Sequence, residues 1–322
     1  MKLKQLVRKK RKTEYFLFAG KGGVGKTSMA CATALYMSQK RKVLLISTDP
    51  AHSVSDSFDT RIGGEVKKVR KNLYAVEIDP KKAMAEYKDK FMPKIESMEA
   101  LKGLGLGDTF DMAGMTPGID EIAAFDKFIQ YMQSDEYDVI IFDTAPTGHT
   151  LRFLSLPEIL DSWIGKMIML RMKFSGIAGM VKKFLPFGKE EEEKPDLGLK
   201  QMEKMKERIA GAKAILADPL KTHYNIVMIP EEMSILESER SLSVLKEYKI
   251  NVDSVIVNQL IPENSRCPFC SEKRKQQQER LGTIRKKFSA YTIREAELLR
   301  EELRGFSALS KVGREIWQNT GK

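Results

Sequence analysis

The chain has 322 residues, of which 42% are hydrophobic and 31% are charged, a balance that argues against disorder and suits a large α/β domain. It contains no run of eighteen or more apolar residues, so the sequence predicts no membrane-spanning helix. The net charge of +11 suits anionic partners, and three cysteines in so long a chain argue against a secreted disulfide scaffold and favour a cytoplasmic protein.

The first segment, residues 1–12, is a basic run with no apolar segment behind it, so we expect a solvated tail rather than a secretory signal. Short apolar runs rich in Val, Ile and Phe follow, and helical patterns separate most of them. The runs occupy residues 15–19, 43–48, 73–78, 139–142, 225–229 and 254–257. Several are nearly continuous in apolar residues, which is typical of parallel strands covered on both faces. The sequence therefore predicts one doubly wound, mostly parallel α/β domain over residues 1–322.

A glycine-rich loop follows the first run and precedes a helical pattern at residues 28–38. It satisfies the phosphate-binding pattern G-x-x-x-x-G-K-[ST]. Glycines let backbone N–H groups surround phosphate oxygens, and the helix N-terminus adds further donors. We expect Lys26 to reach the β- and γ-phosphates of ATP and the Thr27 hydroxyl to ligate Mg²⁺. The predicted nucleotide site comprises Gly20, Lys21, Gly22, Gly23, Val24, Gly25, Lys26, Thr27 and Ser28.

Lys21 is a second lysine inside this loop. It is either a solvated charge or a second cation directed at phosphate, including that of a neighbouring subunit, and its position in the loop favours the second interpretation. Hydrolysis also needs a group that orients the attacking water. Asp56, Asp49 and His52 follow the second run and are the candidates, but spacing does not rank them because any Asp here can cap a turn or helix.

The run at 139–142 ends in Asp143, which we expect at the carboxyl edge of the sheet beside the metal held by Thr27. The alternative is an ordinary strand-capping Asp. The small, turn-prone residues 144–150 come next and are suited to a segment that switches with the γ-phosphate.

Two Met-rich stretches of helical composition, about 81–125 and 158–213, do not fit the strand-helix alternation and are predicted to be helical insertions. In the second stretch, apolar side chains recur at spacings of three and four and form one helical stripe. Met-rich surfaces accept partners of varied sequence. Periodicity alone favours the alternative, that the stripe packs into a core.

Three further segments resemble one branch of the deviant Walker A ATPases, a class marked by a lysine at the position of Lys21. The segments are DPAHSVSDSFD at 49–59, DTAPTGHTLRFLSLPEIL at 143–160 and VNQLIPENSRCPFC at 257–270. The branch contains the arsenite-pump ATPase and the targeting factor for tail-anchored membrane proteins. The resemblance covers nearly the whole chain in order and is to the single-domain, archaeal form.

The resemblance implies roles for individual residues. It implies that Asp56 is the catalytic carboxylate that polarises the attacking water and that Lys21 reaches the partner subunit's nucleotide. It also implies that Asn258 contacts the adenine base and that Glu232 contacts nucleotide across a dimer. Near Glu297 the sequence departs from the family's adenine-contacting loop.

Cys267 and Cys270 form a C-x-x-C pair, and structural zinc takes four ligands. The sequence offers no second pair, which suggests a zinc shared across a two-fold axis by two cysteines from each subunit. The family resemblance supports this arrangement. The alternatives are a redox pair or two idle thiols.

We therefore expect an ATP-hydrolysing homodimeric targeting factor, with a higher oligomer as the alternative assembly when client is bound. The resemblance implies that its insertions form an apolar groove for the transmembrane helix of a tail-anchored protein. It also implies that the cytoplasmic protein delivers this client to a membrane receptor and is peripheral at the membrane during delivery. One alternative is the motor of an arsenite efflux pump, although arsenic(III) wants about three thiolates and only Cys31 remains beside the pair. The other is a DNA-partitioning ATPase, to which the net charge of +11 would belong, although we expect no stable nucleic-acid partner.

Overall fold

A computed structural model describes residues 13–48, 53–79, 82–83, 85–86, 119–144, 197–263 and 267–318. The strands in these ranges are β1 (Glu14–Ala19), β2 (Val43–Ser47), β3 (Lys67–Arg70), β4 (Leu73–Glu77), β5 (Val139–Asp143), β6 (Thr222–Met228), β7 (Val252–Leu260) and β8 (Thr292–Glu297). They form one eight-stranded sheet in the order β3-β4-β2-β5-β1-β6-β7-β8. β3 pairs antiparallel with β4 and the other pairs are parallel, which confirms the predicted fold class.

Helices cover both faces of this sheet. The described helices are α1 (Lys26–Met37), α2 (Ser53–Phe58), α3 (Ile119–Met132), α4 (Leu197–Ala217), α5 (Glu232–Glu247), α6 (Pro268–Lys287) and α7 (Gly305–Gln318). Side chains of α1, α2 and α7 pack in the hydrophobic cluster on one face. Side chains of α3, α4, α5 and α6 pack in the cluster on the other.

The central strands β2 and β5 are apolar up to their last residues because both of their faces are covered. Every residue of β2 and β5 is buried. In β1, Leu17 faces one cluster while Phe16 and Phe18 face the other, as the period of two in a strand requires. Burial of such side chains contributes about 1.5–3 kcal/mol each, so the sheet centre contributes strongly to the stability of the fold.

The two edge strands, β3 and β8, were not predicted. The sequence of β3 is KKVR, and its residues are largely exposed. The sequence of β8 is TIREAE, in which only Ala296 is buried. Edge strands have one neighbour and incomplete cover, so their sequences lack the apolar run by which central strands are recognised.

Most of both predicted insertions, and the basic tail at 1–12, lie outside the described residues. The described end of the second stretch forms part of α4, where Ile209 and Ala212 are buried against the sheet. Among the helices of the described ranges, none combines the length and apolarity needed to cross a bilayer.

Candidate active site

The phosphate-binding loop connects β1 to α1, as the sequence predicts. Two of its glycines are required by close contacts. Gly20 has φ +153°, and a Cβ there would collide with the Val227 carbonyl oxygen of the neighbouring strand. Gly25 has φ +92°, and a Cβ there would collide with the side-chain amide of Asn258. The loop therefore lies tight against the carboxyl ends of β6 and β7.

The two lysines of the loop occupy different environments. Lys26, the first residue of α1, is 6% exposed, and its Nζ donates to the Lys21 carbonyl oxygen at 3.2 Å. Lys21 is half-buried, as is Thr27 in the first turn of α1. The first turn of α1 carries no acidic side chain, so its N–H groups present an electropositive end to an anion.

Asp143 ends β5 between the carboxyl ends of two other strands. It is paired in register with Ser47 of β2 and with Phe18 of β1, two residues before Gly20. Its side chain is fully buried, and its Oδ2 accepts a hydrogen bond from the Ser47 hydroxyl at 3.2 Å. The carboxylate thus lies at the strand edge where the phosphate loop begins, as predicted.

Asp56 lies in α2 with its side chain exposed. The preceding residue, Ser55, is held by Glu77 at the end of β4. The Ser55 N–H donates to Glu77 Oε1 at 2.8 Å, and its hydroxyl donates to Glu77 Oε2 at 2.7 Å. Glu77 was not singled out from the sequence. The available signal was the one that identified Asp143, an acidic residue closing an apolar strand at the carboxyl edge.

The start of α7 and the residue before it contact the end of α2 and the residue after it. The Arg304 guanidinium pairs with Asp59 at 2.5 Å, and Phe306 stacks on Phe58 with ring centroids 5.7 Å apart. Glu297 lies at the end of β8, where its N–H donates to the Glu315 carboxylate at 2.9 Å. The C-terminal segment is therefore connected to the helix that carries Asp56.

Asn258 lies in an irregular part of β7 that directs it at the phosphate loop. The β7–β8 register shifts between Val257 and Leu260, and Gln259 adopts φ +60°. Asn258 is 6% exposed, and its Nδ2 donates to the Val24 carbonyl oxygen at 2.9 Å. Gln277 of α6 holds the irregular segment by donating to the Gln259 carbonyl oxygen at 3.0 Å. The structure brings Asn258 to the loop, and its predicted adenine contact stays a prediction.

Glu232 is the first residue of α5, which follows the carboxyl end of β6. Its carboxylate is exposed and pairs with Arg280 of α6. A second ion pair, between Lys287 and Glu239 at 2.8 Å, joins the same two helices seven residues further along each. The predicted contact of Glu232 with nucleotide across a dimer stays a prediction.

The cysteine pair lies at the N-terminus of α6, with Cys267 capping the helix and Cys270 in its first turn. Hydrogen bonds from the Cys270 backbone N–H and side chain to the fully exposed Cys267 sulfur lower the pKa of that thiol. Among the described residues, no group of three or more metal-ligating side chains is present. Cys31 is enclosed in the core on the opposite face of the sheet, where burial raises the pKa of its thiol. It therefore cannot join the pair in a three-thiolate arsenite site.

The remaining water-orienting candidates, Asp49 and His52, lie outside the described residues, as does the switch segment at 145–150. The described geometry therefore joins three predicted features: the loop at 20–27, Asp143 beside it and Asn258 against it. This arrangement is suited to a nucleoside triphosphate, because it has N–H donors, a buried lysine and a carboxylate at one strand edge.

The sequence profile of the anion-transporting ATPase family matches residues 13–318. The chain belongs to this family. The ATPase GET3B of Arabidopsis thaliana is 40% identical over 330 residues, covering 95% of the chain and 79% of that relative. The ATPase GET3 of Podospora anserina is 36% identical over 95% of the chain and 91% of its own length. The ATPase get3 of Schizosaccharomyces pombe is 37% identical over 92% of the chain and 88% of its own length.

These findings confirm the predicted family and the ATP-hydrolysing activity of this anion-transporting-family ATPase. The relatives are GET3 ATPases, which favours the targeting-factor branch over the arsenite-pump and DNA-partitioning alternatives.

Proposed function

We propose that this ATPase is a homodimeric targeting factor that binds the transmembrane helix of tail-anchored membrane proteins and delivers them to a membrane. The observation that carries the proposal is the match to GET3 ATPases over nearly the whole chain, together with the assembled phosphate site. The Met-rich composition of the stretches at 81–125 and 158–213 supports it, because Met-rich surfaces accept partners of varied sequence.

In the proposed reaction, the loop N–H groups and Lys26 bind the β- and γ-phosphates of ATP. Asp56 accepts a hydrogen bond from the attacking water and orients it toward the γ-phosphorus. Lys21 of each subunit contributes positive charge to the phosphates bound by the other subunit. Hydrolysis would then proceed efficiently only in a closed dimer, since in a single subunit no Lys21 from another subunit reaches the phosphates.

The residues at the strand edge fit Mg²⁺, which prefers oxygen ligands. The Thr27 hydroxyl would ligate it directly. The buried Asp143 carboxylate, at the end of β5 beside β1, would complete the set of oxygen groups around the ion. Bound there, Mg²⁺ neutralises charge that develops on the phosphate oxygens.

A shared zinc would join the two subunits at the N-termini of their α6 helices. The lowered pKa of Cys267 supports this part of the proposal, because the thiolate is the form that ligates zinc. Two cysteines from each subunit would complete a tetrahedral site. We expect about one zinc per two chains by elemental analysis, and loss of both zinc and dimer in the double variant Cys267→Ser/Cys270→Ser.

Closure of the dimer on ATP would bring the helical insertions of both subunits together as an apolar groove. Opening after hydrolysis would release the client at a membrane receptor. The protein would thus act in the cytoplasm and associate with the membrane surface only during delivery.

The test is co-expression with a tail-anchored protein that has a single C-terminal transmembrane helix. We expect a detergent-free complex that purifies from the soluble fraction and that accumulates with the Asp56→Asn variant, which hydrolyses ATP slowly. A client lacking its transmembrane helix is the matched control and should not copurify. Equal recovery of both clients would contradict the proposed function.

A further inference from the structure

Glu77 is a buried carboxylate at the carboxyl edge of the sheet, only 2% exposed. Each of its oxygens accepts a hydrogen bond from Ser55: Oε1 accepts the Ser55 N–H and Oε2 accepts the Ser55 hydroxyl. Burial of a carboxylate is costly unless hydrogen bonds replace its hydration. The orientation of Ser55 is therefore strongly determined by Glu77.

The contact with Ser55 is the centre of a small hydrogen-bonded network. The Ser55 N–H belongs to the first turn of α2, where a helix has no backbone acceptor for it. The Ser55 hydroxyl oxygen accepts the Ile62 N–H at 3.0 Å, and the Glu77 N–H donates to the Gly63 carbonyl oxygen at 2.9 Å. The start of α2, the chain that follows it and the end of β4 are thereby joined.

Asp56 follows Ser55 directly, and its exposed side chain lies on a helix of only six residues. A helix this short gains little from its own hydrogen bonds, so tertiary contacts set its orientation. The rate of a reaction that depends on an oriented water falls steeply when the orienting group moves by about 1 Å.

We propose that Glu77 is a positioning residue for ATP hydrolysis: it holds α2 through Ser55 and so keeps the Asp56 carboxylate directed at the attacking water. The inference rests on the role proposed above for Asp56. It adds to that role a buried carboxylate that acts through its hydrogen bonds to Ser55.

The test measures steady-state hydrolysis, ATP affinity and thermal stability for Glu77→Gln, Glu77→Ala and Ser55→Ala. The Gln side chain keeps the size of Glu77 but cannot accept both Ser55 hydrogens. We expect kcat to fall about tenfold in Glu77→Gln while KM for ATP changes by less than about twofold, because the phosphate loop is untouched. Ser55→Ala should shift kcat in the same direction.

Ser254→Ala is the matched control, because it also removes one hydrogen-bonded hydroxyl, which donates to Asn225 Oδ1 at 2.7 Å in the neighbouring strand. It should change thermal stability without changing kcat. The decisive arm combines Glu77→Gln with Asp56→Asn. If Glu77 acts through Asp56, adding Glu77→Gln to Asp56→Asn should lower kcat no further.

A wild-type kcat in Glu77→Gln would overturn the inference. So would a fall in kcat on adding Glu77→Gln to Asp56→Asn that equals its fall in the wild-type protein. A rate loss in Ser254→Ala matching that of Ser55→Ala would do the same, because it would show a general effect of stability. If Asp56→Asn alone hydrolyses ATP normally, both the proposed role of Asp56 and this inference are wrong. If Asp56→Asn hydrolyses ATP slowly while Glu77→Gln hydrolyses it at the wild-type rate, only this inference is wrong and the proposed role of Asp56 stands.

Discussion

Gly25→Ala perturbs the contact between the phosphate loop and β7 in two ways. Gly25 has φ +92°, which an L-residue adopts only with strain. The added Cβ also meets the Asn258 side-chain amide. That amide must then move away from the buried Val24 carbonyl oxygen to which it now donates at 2.9 Å.

Both contributions to the cost follow from this geometry. The left-handed conformation costs an alanine about 1–2 kcal/mol. Loss of the hydrogen bond leaves a buried carbonyl unsatisfied, at about 1–3 kcal/mol. Together they lower the free energy of unfolding by about 2–5 kcal/mol. In an Asn258→Ala background the displaced amide is already absent, so Gly25→Ala should cost only the strain of about 1–2 kcal/mol.

Urea unfolding of the two single variants and the double variant without nucleotide measures this coupling. Gly22→Ala is the matched control, since a Cβ at Gly22 meets nothing within 4 Å, and it should change stability by less than about 0.5 kcal/mol. The two substitutions should be non-additive by about 1–3 kcal/mol. Additivity within about 0.5 kcal/mol would refute the account of the contact.

Three further substitutions test other parts of the site and the fold. Asp143→Asn keeps the shape of the side chain but removes its charge, so Mg²⁺ affinity measured by titration of hydrolysis should fall about 10- to 100-fold. Lys21→Ala should lower kcat at least about a hundredfold while nucleotide binding, measured by fluorescence, persists. The hydrogen bond from His223 lowers the pKa of Asp253, so the Asp253 carboxylate stabilises the fold above its unfolded pKa of about 3.9. Asp253→Asn should therefore destabilise the protein at neutral pH, and the difference should vanish as pH falls through the folded pKa.

Each of these expectations has a contrary outcome. An unchanged Mg²⁺ dependence of hydrolysis in Asp143→Asn would show that the carboxylate does not contribute to Mg²⁺ binding. A wild-type kcat in Lys21→Ala would show that Lys21 is a solvated charge, the alternative interpretation of the sequence. A stability difference for Asp253→Asn that persists at pH 2 would show that the lowered pKa is not its cause.

The centre of the fold was predictable because the features that determine it are short, contiguous stretches of sequence. Parallel strands covered on both faces require apolar runs, and the phosphate loop requires glycines followed by Lys26 and Thr27 at fixed spacing. The strand β3, with the sequence KKVR, contains neither an apolar run nor a motif. It forms because it pairs with β4 at an exposed edge of the sheet, and this contact depends on the tertiary structure.

The site was less predictable where it depends on contacts between distant segments. Asn258 and Val24 are 234 residues apart, and their hydrogen bond depends on the irregular turn of β7 at Gln259. Glu77 holds Ser55 across 22 residues. No periodicity or motif records such contacts, so the sequence pointed to the strand edge but not to the partners of each side chain.

The central claim is that bound ATP closes a dimer of two subunits. Light scattering of the zinc-loaded Asp56→Asn variant with Mg²⁺-ATP, compared with ADP, tests it most directly. The account predicts twice the mass of the chain, with an ATP-dependent decrease in hydrodynamic radius that Lys21→Ala abolishes. A species of single-chain mass under saturating Mg²⁺-ATP would contradict it.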